Sequence, residues 1–249
     1  MHFNNLYMKQ LIIITAGLMI ALAGCKKKGC FESSGSKTIS VRPVTSFSQI
    51  DAYDNISIVL KQDTAESITI EAGANLQPYI KADIANHVLT LRNNSGCSWL
   101  RGPSETIKAY VSVKTLARMN FHGSGDISSV NTLTNPDIFL DAYEAASNVT
   151  LDINAASSAF YIREEDAVYN ISGYSELGRV FGGQKGIMNL KNLQVYSMTF
   201  DQRSIHDAYI WVTGTLAVNV QYKGNVYYKG TPVKIDYQHF NDGRLLPLQ

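Results

Sequence analysis

The chain has 249 residues, 45% of them hydrophobic and 17% charged, with 22 basic and 21 acidic side chains. That balance excludes a disordered chain and allows one large or two small globular domains. With a net charge of only +1 there is no electrostatic footprint for nucleic acid, and that partner class is set aside.

In chain order, Lys9 precedes an apolar run over residues 11–21 that is too short to span a membrane and suits a secretory signal. The run ends in Leu22-Ala23-Gly24-Cys25, which matches the lipobox of bacterial lipoproteins. There a peptidase cuts before the cysteine, whose sulfur carries a diacylglycerol. Residues 1–24 are therefore expected to be a signal peptide, and Cys25 the lipidation site that makes the membrane a partner. Several acyl chains give stable anchoring. Lys26 does not resemble an inner-membrane retention signal, so the expected location is the outer membrane, with the leaflet left open. Residues 25–37, basic and then Gly/Ser-rich, read as a flexible tether. Cys30 and Cys97 remain. In an oxidising compartment they are a disulfide candidate, worth about 4 kcal/mol on the entropic model, or else two separate thiols.

From Thr38 the pattern is β. Thr38-Ile39-Ser40-Val41, Ile56-Ser57-Ile58-Val59-Leu60, Ser67-Ile68-Thr69-Ile70, Val88-Leu89-Thr90-Leu91 and Tyr110-Val111-Ser112-Val113 alternate apolar and polar residues with period two. Residues 75–82 allow at most one helical turn. After residue 116 short strands follow at close intervals, separated by small residues rather than hairpin dipeptides. His122-Gly123-Ser124-Gly125-Asp126-Ile127 recurs in looser form, with anchors at Gly125, Ser147, Ser175 and Gly224 and a degraded copy at Gln202-Arg203-Ser204-Ile205. Small residues at fixed places suit corners where one coil packs on the next, and such a period marks stacked units that bury a continuous core. The predicted fold is all-β, a right-handed parallel β-helix or solenoid. Its domain spans 38–240, with an N-terminal β portion (38–115) that continues or caps the coil, a repeat solenoid (116–240) and a tail (241–249).

Phe47-Ser48-Gln49-Ile50, the His122–Ile127 corner and the closing Gly224-Asn225-Val226-Tyr227-Tyr228-Lys229-Gly230-Thr231-Pro232 together resemble the head GIN domain family of auto-transporter adhesins. The similarity covers residues 38–236. It implies β-helix-like folds in envelope lipoproteins of Bacteroidetes-type bacteria, and no established activity. The sequence departs from the family at Ala145-Ala146 and Gln202-Arg203, where glycines are usual.

Several constellations suggest chemistry. Ser124 with His122 and Asp126 evokes a triad, but residues two apart on a strand stand roughly 6.6–6.8 Å from each other, beyond direct hydrogen bonding. His87, His122, His206 and His239 lack ligand spacing, and neither a metal nor a cofactor is expected. Arg163-Glu164-Glu165-Asp166 is a dense acidic run that reads as a solvated turn. Asp141 and Asp152 leave open a carboxylate pair of the kind glycosidases use. Asp63-Thr64-Ala65 matches a short O-glycosylation sequon, with Thr64 the acceptor. The expected binding residues are the late aromatics Tyr209, Trp211, Tyr222, Tyr227 and Tyr228, which could stack on a glycan or anchor a cell-surface protein, or simply fill the core. The expected function is a non-catalytic binding module. The alternatives are an accessory envelope lipoprotein without a ligand and a polysaccharide-acting enzyme.

Overall fold

The computed structural model describes residues 33–96, 107–143, 147–163 and 166–248. Cys25, Cys30 and Cys97 lie outside them, as do the Ala145-Ala146 corner and Glu164-Glu165. The described chain is nearly all strand, with a single 3₁₀ turn at Gln77–Tyr79 where the sequence allows a helical turn.

The strands are β1 (Lys37–Arg42), β2 (Gln49–Asp54), β3 (Ile56–Gln62), β4 (Ser67–Gly73), β5 (Ile80–Ala85), β6 (Val88–Asn93), β7 (Ile107–Val113), β8 (Arg118–Gly123) and β9 (Ile127–Ser129). There follow β10 (Leu133–Ala142), β11 (Asn148–Ile162), β12 (Val168–Gly182), β13 (Ile187–Gln202), β14 (Ala208–Val220), β15 (Val226–Lys229), β16 (Lys234–His239) and β17 (Leu245–Pro247). Every pairing from β8 onward is parallel, and the chain winds into a β-solenoid of about six turns.

The core follows from period-two patterning read through this register. On one face, Leu89, Ile50, Met119, Leu140, Phe160, Val180, Phe200 and Val218 stand opposite one another in successive strands, and all are buried. No coil could bury such a face alone; each supplies the apolar surface its neighbour needs. The long strands β11, β12 and β13 bend rather than end. Their in–out alternation slips by one residue at Ala156–Ser157, Glu176–Leu177 and Tyr196–Ser197, three positions in mutual register that form one corner.

The N-terminal portion both continues the coil and caps it. β2 and β3 pair in parallel with β8 and β9 on one side and with β6 and β7 on the other. β4 then runs antiparallel to β7, β1 antiparallel to β4, and β5 antiparallel to β6, which covers strand edges that a bare solenoid end would expose. At the other end, β17 falls within the residues expected to be a tail and pairs with β15.

The glycine corner carries the close approach the sequence suggests. A Cβ on Gly125 would stand 1.9 Å from the Ile56 carbonyl oxygen of the neighbouring coil, and one on Gly123 would stand 1.9 Å from that of Asp54. The repeat register needs one correction. Ser147 does stack on Gly123–Gly125, its Oγ donating to the Gly123 carbonyl at 3.0 Å. The next member, however, is Ala167 rather than Ser175, because Asn148 stands opposite Val168. Ser175 belongs to the other corner, opposite Ala155 and Val195. Ala167 is buried, so its turn of the corner admits a Cβ and leaves no mark in the sequence. The degraded copy holds: Ser204 is buried, its Oγ donates to the Gly186 carbonyl at 2.7 Å, and its own carbonyl accepts from Gly224 N.

Candidate binding surface

On the face formed by β9, β15 and the first parts of β11 to β14, outward residues make straight columns. One reads Thr150, Asn170, Asn189, Tyr209, Tyr227. The Asn189 amide donates to the Asn170 side-chain oxygen at 2.9 Å, and the column then turns aromatic, Tyr209 and Tyr227 stacking at 5.4 Å and 14°. In the next outward column Trp211 stands opposite Lys229, whose ammonium lies 4.3 Å from the indole centroid. Tyr209, Trp211 and Tyr227 thus form one half-exposed patch with a cation. The other two expected residues are elsewhere. Tyr228 packs against the core, as alternation requires of the neighbour of an outward Tyr227. Tyr222 lies past the end of β14, exposed, with Lys223 Nζ 5.9 Å from its ring.

A second face, formed by β2, β8, β10, β16 and the later parts of β11 to β14, carries a richer array that sequence reasoning missed. Tyr53 stacks on His122 at 4.7 Å, and His122 stacks on Tyr143 at 5.2 Å, both pairs within 9° of parallel. Arg92 covers the free face of Tyr53 at 3.7 Å, and Arg163 lies 4.6 Å from the Tyr143 centroid. Beside this column runs a second set in which Phe139, Tyr161 and Phe181 meet edge to face, with Arg118 over Phe139 and Arg203 near Phe181. His122, Tyr143 and Arg163 recur about one coil apart in the sequence, which is the signal that could have revealed them.

Asp141 is the electrostatic centre of this face. It is fully buried, and Arg163 donates to both carboxylate oxygens, Nε to Oδ1 at 2.8 Å and Nη2 to Oδ2 at 2.7 Å. That hydrogen-bonded pair pushes the guanidinium further toward its charged form. The carboxylate beside it pushes the Tyr143 hydroxyl up, and burial pushes Tyr169 well above the usual phenol range. Asp141 therefore holds a structural ion pair. Asp152 lies on the first face, accepting from Ser172 Oγ at 3.0 Å, so the two carboxylates share no cleft.

The other candidates are equally engaged. His122 is held in its ring stack, Ser124 N donates to the Asp54 carbonyl, and the Asp126 carboxylate accepts from the Asn148 amide at 3.0 Å. Asp166 pairs with Lys185 at 3.8 Å. Thr64 is exposed between β3 and β4, its backbone held by the Asp63 carboxylate at 2.7 Å. That carboxyl sits below its usual range because Lys61 hydrogen-bonds it. Among the described residues no cluster of His, Cys, Asp and Glu could hold a metal ion, and no helix is long and apolar enough to cross a membrane.

Solved structures share this architecture. A "putative adhesin" from Bacteroides fragilis matches at 17% identity with a TM-score of 0.76, covering 86% of this chain and 97% of that one. A "putative adhesin" from Parabacteroides distasonis matches at 17% identity and 0.64, covering 86% and 98%. From the same organism a "putative lipid binding protein" matches at 13% identity and 0.61, covering 87% and 98%. At these identities the likeness shows the fold alone. No curated protein matches the chain. The family model described as "putative auto-transporter adhesin, head GIN domain" matches residues 46–232, most of the chain, and the protein belongs to that family.

Proposed function

We propose that the protein is a non-catalytic envelope lipoprotein, anchored to the outer membrane through Cys25, whose solenoid faces bind extended glycan or protein surfaces. The observation that carries this reading is the register of Tyr209, Trp211 and Tyr227 with Lys229 on one flat outward face. A stacked solenoid offers long, regular faces, poor at enclosing a small molecule and suited to polymers or protein surfaces. Affinity for such partners concentrates in a few aromatic anchors. The adhesin description of the family supports a surface-binding role and an envelope location.

The test is a glycan-array and whole-cell binding assay on the triple variant Tyr209→Ala, Trp211→Ala, Tyr227→Ala. Loss of binding with a little-changed melting temperature supports the proposal. A specific observation favours a second reading, that of an accessory lipoprotein without a ligand: these aromatics already satisfy one another by stacking and by the Lys229 contact. A large loss of stability, with no binding to lose, would select that reading. Anchoring through Cys25 is tested separately by metabolic labelling with a fatty-acid probe, which Cys25→Ser should abolish. Thr64 is proposed as an O-glycan acceptor and Cys30–Cys97 as a disulfide. Intact mass of native protein showing no sugar excess refutes the first, and recovery of both cysteines as free thiols refutes the second.

A further inference from the structure

The second face holds a trench that no part of the fold explains. Arg179 stands opposite Ala159 in one neighbouring strand and Thr199 in the other, so the residues on both sides of it are short. Two residues further along each strand the column is tall: Tyr161, Phe181 and Asp201 in successive coils. Short residues beside tall ones leave two adjoining hollows of about 400 Å³ and about 230 Å³, with Arg179 and Thr199 lining both. The larger is within the range of ligand sites.

Its polar groups divide into engaged and unengaged. Arg163 is committed to Asp141, and Arg203 donates to Asp201 Oδ2 at 2.8 Å and 3.1 Å. Arg179 makes no hydrogen bond or ion pair among the described residues, and it is exposed. Asp201 lines the larger hollow, but its Oδ1 is shielded from solvent, so a ligand in the hollow does not reach it. Thr199 and Asn219 also line the hollow, and neither side chain makes a hydrogen bond among the described residues. Arg179 asks for a planar anion that it can bind through two donors, and Thr199 and Asn219 offer partners for hydroxyls. Inorganic phosphate would answer the first and leave the hydroxyl partners unused. A neutral sugar would answer the second and leave Arg179 unused. A sugar carrying a carboxylate supplies both groups on one ring.

We propose that the trench around Arg179 is a binding subsite for an acidic sugar residue of the hexuronate type. Arg179 takes the carboxylate, and Thr199 and Asn219 meet ring hydroxyls. The proposal rests on the reading of this protein as a glycan-binding module, but on a different face from Tyr209, Trp211 and Tyr227.

The test is isothermal titration of the full chain with trigalacturonate, neutral galactotriose and inorganic phosphate at low and at physiological salt. The acidic trimer is expected to bind at least tenfold more tightly than the neutral one, and to weaken as salt rises. Arg179→Gln should lose at least tenfold in affinity and Arg179→Lys less, since lysine keeps the charge and loses the fork. Trp211→Ala should leave this binding unchanged. Because Arg179 has no described bond to lose, the melting temperature of Arg179→Gln should match that of the parent. Equal binding of acidic and neutral trimers, unchanged binding by Arg179→Gln, phosphate binding as tight as the trimer, or no binding of the trimer at millimolar concentration would each overturn the proposal. If cells or neutral glycans still bind through Trp211 while the trimer fails, this subsite alone is refuted. If both fail, the binding-module reading falls with it.

Discussion

Replacing Asp141 with asparagine keeps the side-chain volume and removes the charge from a fully buried position. One acceptor is lost, and an amide N–H₂ is turned toward the donors of Arg163. Two charge-assisted hydrogen bonds at 2.7 and 2.8 Å are at stake, each worth about 1.5–3 kcal/mol. Arg163 recovers part of that from water, because 41% of its side chain is exposed, which leaves roughly 2–4 kcal/mol. For a domain of this size that lowers the melting temperature by roughly 5–12 °C. Asp201→Asn is the internal control. It lies in the same outward column, but its pair with Arg203 is 25% and 49% exposed, so at most about 1 kcal/mol is expected. Scanning calorimetry of both variants, and of Asp141→Asn combined with Arg163→Gln, makes the comparison. The double variant should lose distinctly less than the sum of its singles, since removing both partners leaves no buried charge unmatched. If Asp141→Asn costs no more than Asp201→Asn, or if the two changes simply add, then the Asp141–Arg163 pair is not what organises this face.

Gly125→Ala should cost about 3 kcal/mol or more, because its Cβ meets backbone of the next coil, whereas Gly96→Ala has nothing within 4 Å and should stay within about 0.5 kcal/mol; thermal denaturation separates them. His122→Ala removes two ring stacks and should cost roughly 1–3 kcal/mol, with Tyr53 and Tyr143 more exposed to quenchers. Stability should fall as pH rises above about 10. Tyr169 keeps its proton in the folded state well past the point where it ionises in the unfolded chain, so the unfolded state binds fewer protons there and gains about 1.4 kcal/mol per pH unit. Tyr169→Phe should flatten that slope in an alkaline unfolding series.

Period-two alternation made the strands legible, and the small-residue corner made the coil legible, because both are local properties of the chain. What escaped is what local pattern cannot carry. Ile58 pairs with Ala109 on one side and Ile127 on the other, so an early coil lies between two later ones, and nothing near Ile58 announces either partner. The bend at Ala156–Ser157 reads as a gap between two strands, because a slip in alternation looks the same as an end. The late patch was half legible. Alternation separates Tyr227 from Tyr228, but only the register decides that Tyr227 meets Tyr209 and that Lys229 meets Trp211. The Tyr53–His122 stack was invisible for the same reason, the two being remote in sequence and adjacent only through pairing.

The register also separates stability from recognition. Inward columns such as Met119, Leu140, Phe160 and Val180 carry the burial, and a change there is felt by the coils on both sides. Outward columns are bound to the fold only through whatever contacts their own side chains make. Where those contacts are complete, as with Asp141 and Arg163, the outward face has been recruited to hold the coils in line. Where they are absent among the described residues, as with Arg179, the fold draws no hydrogen bond from the side chain, which stays open to a partner. On a solenoid this contrast locates recognition more sharply than depth does, because stacking gives every face much the same shallow relief. The residues to change first are therefore those whose polar groups find no partner within the coil.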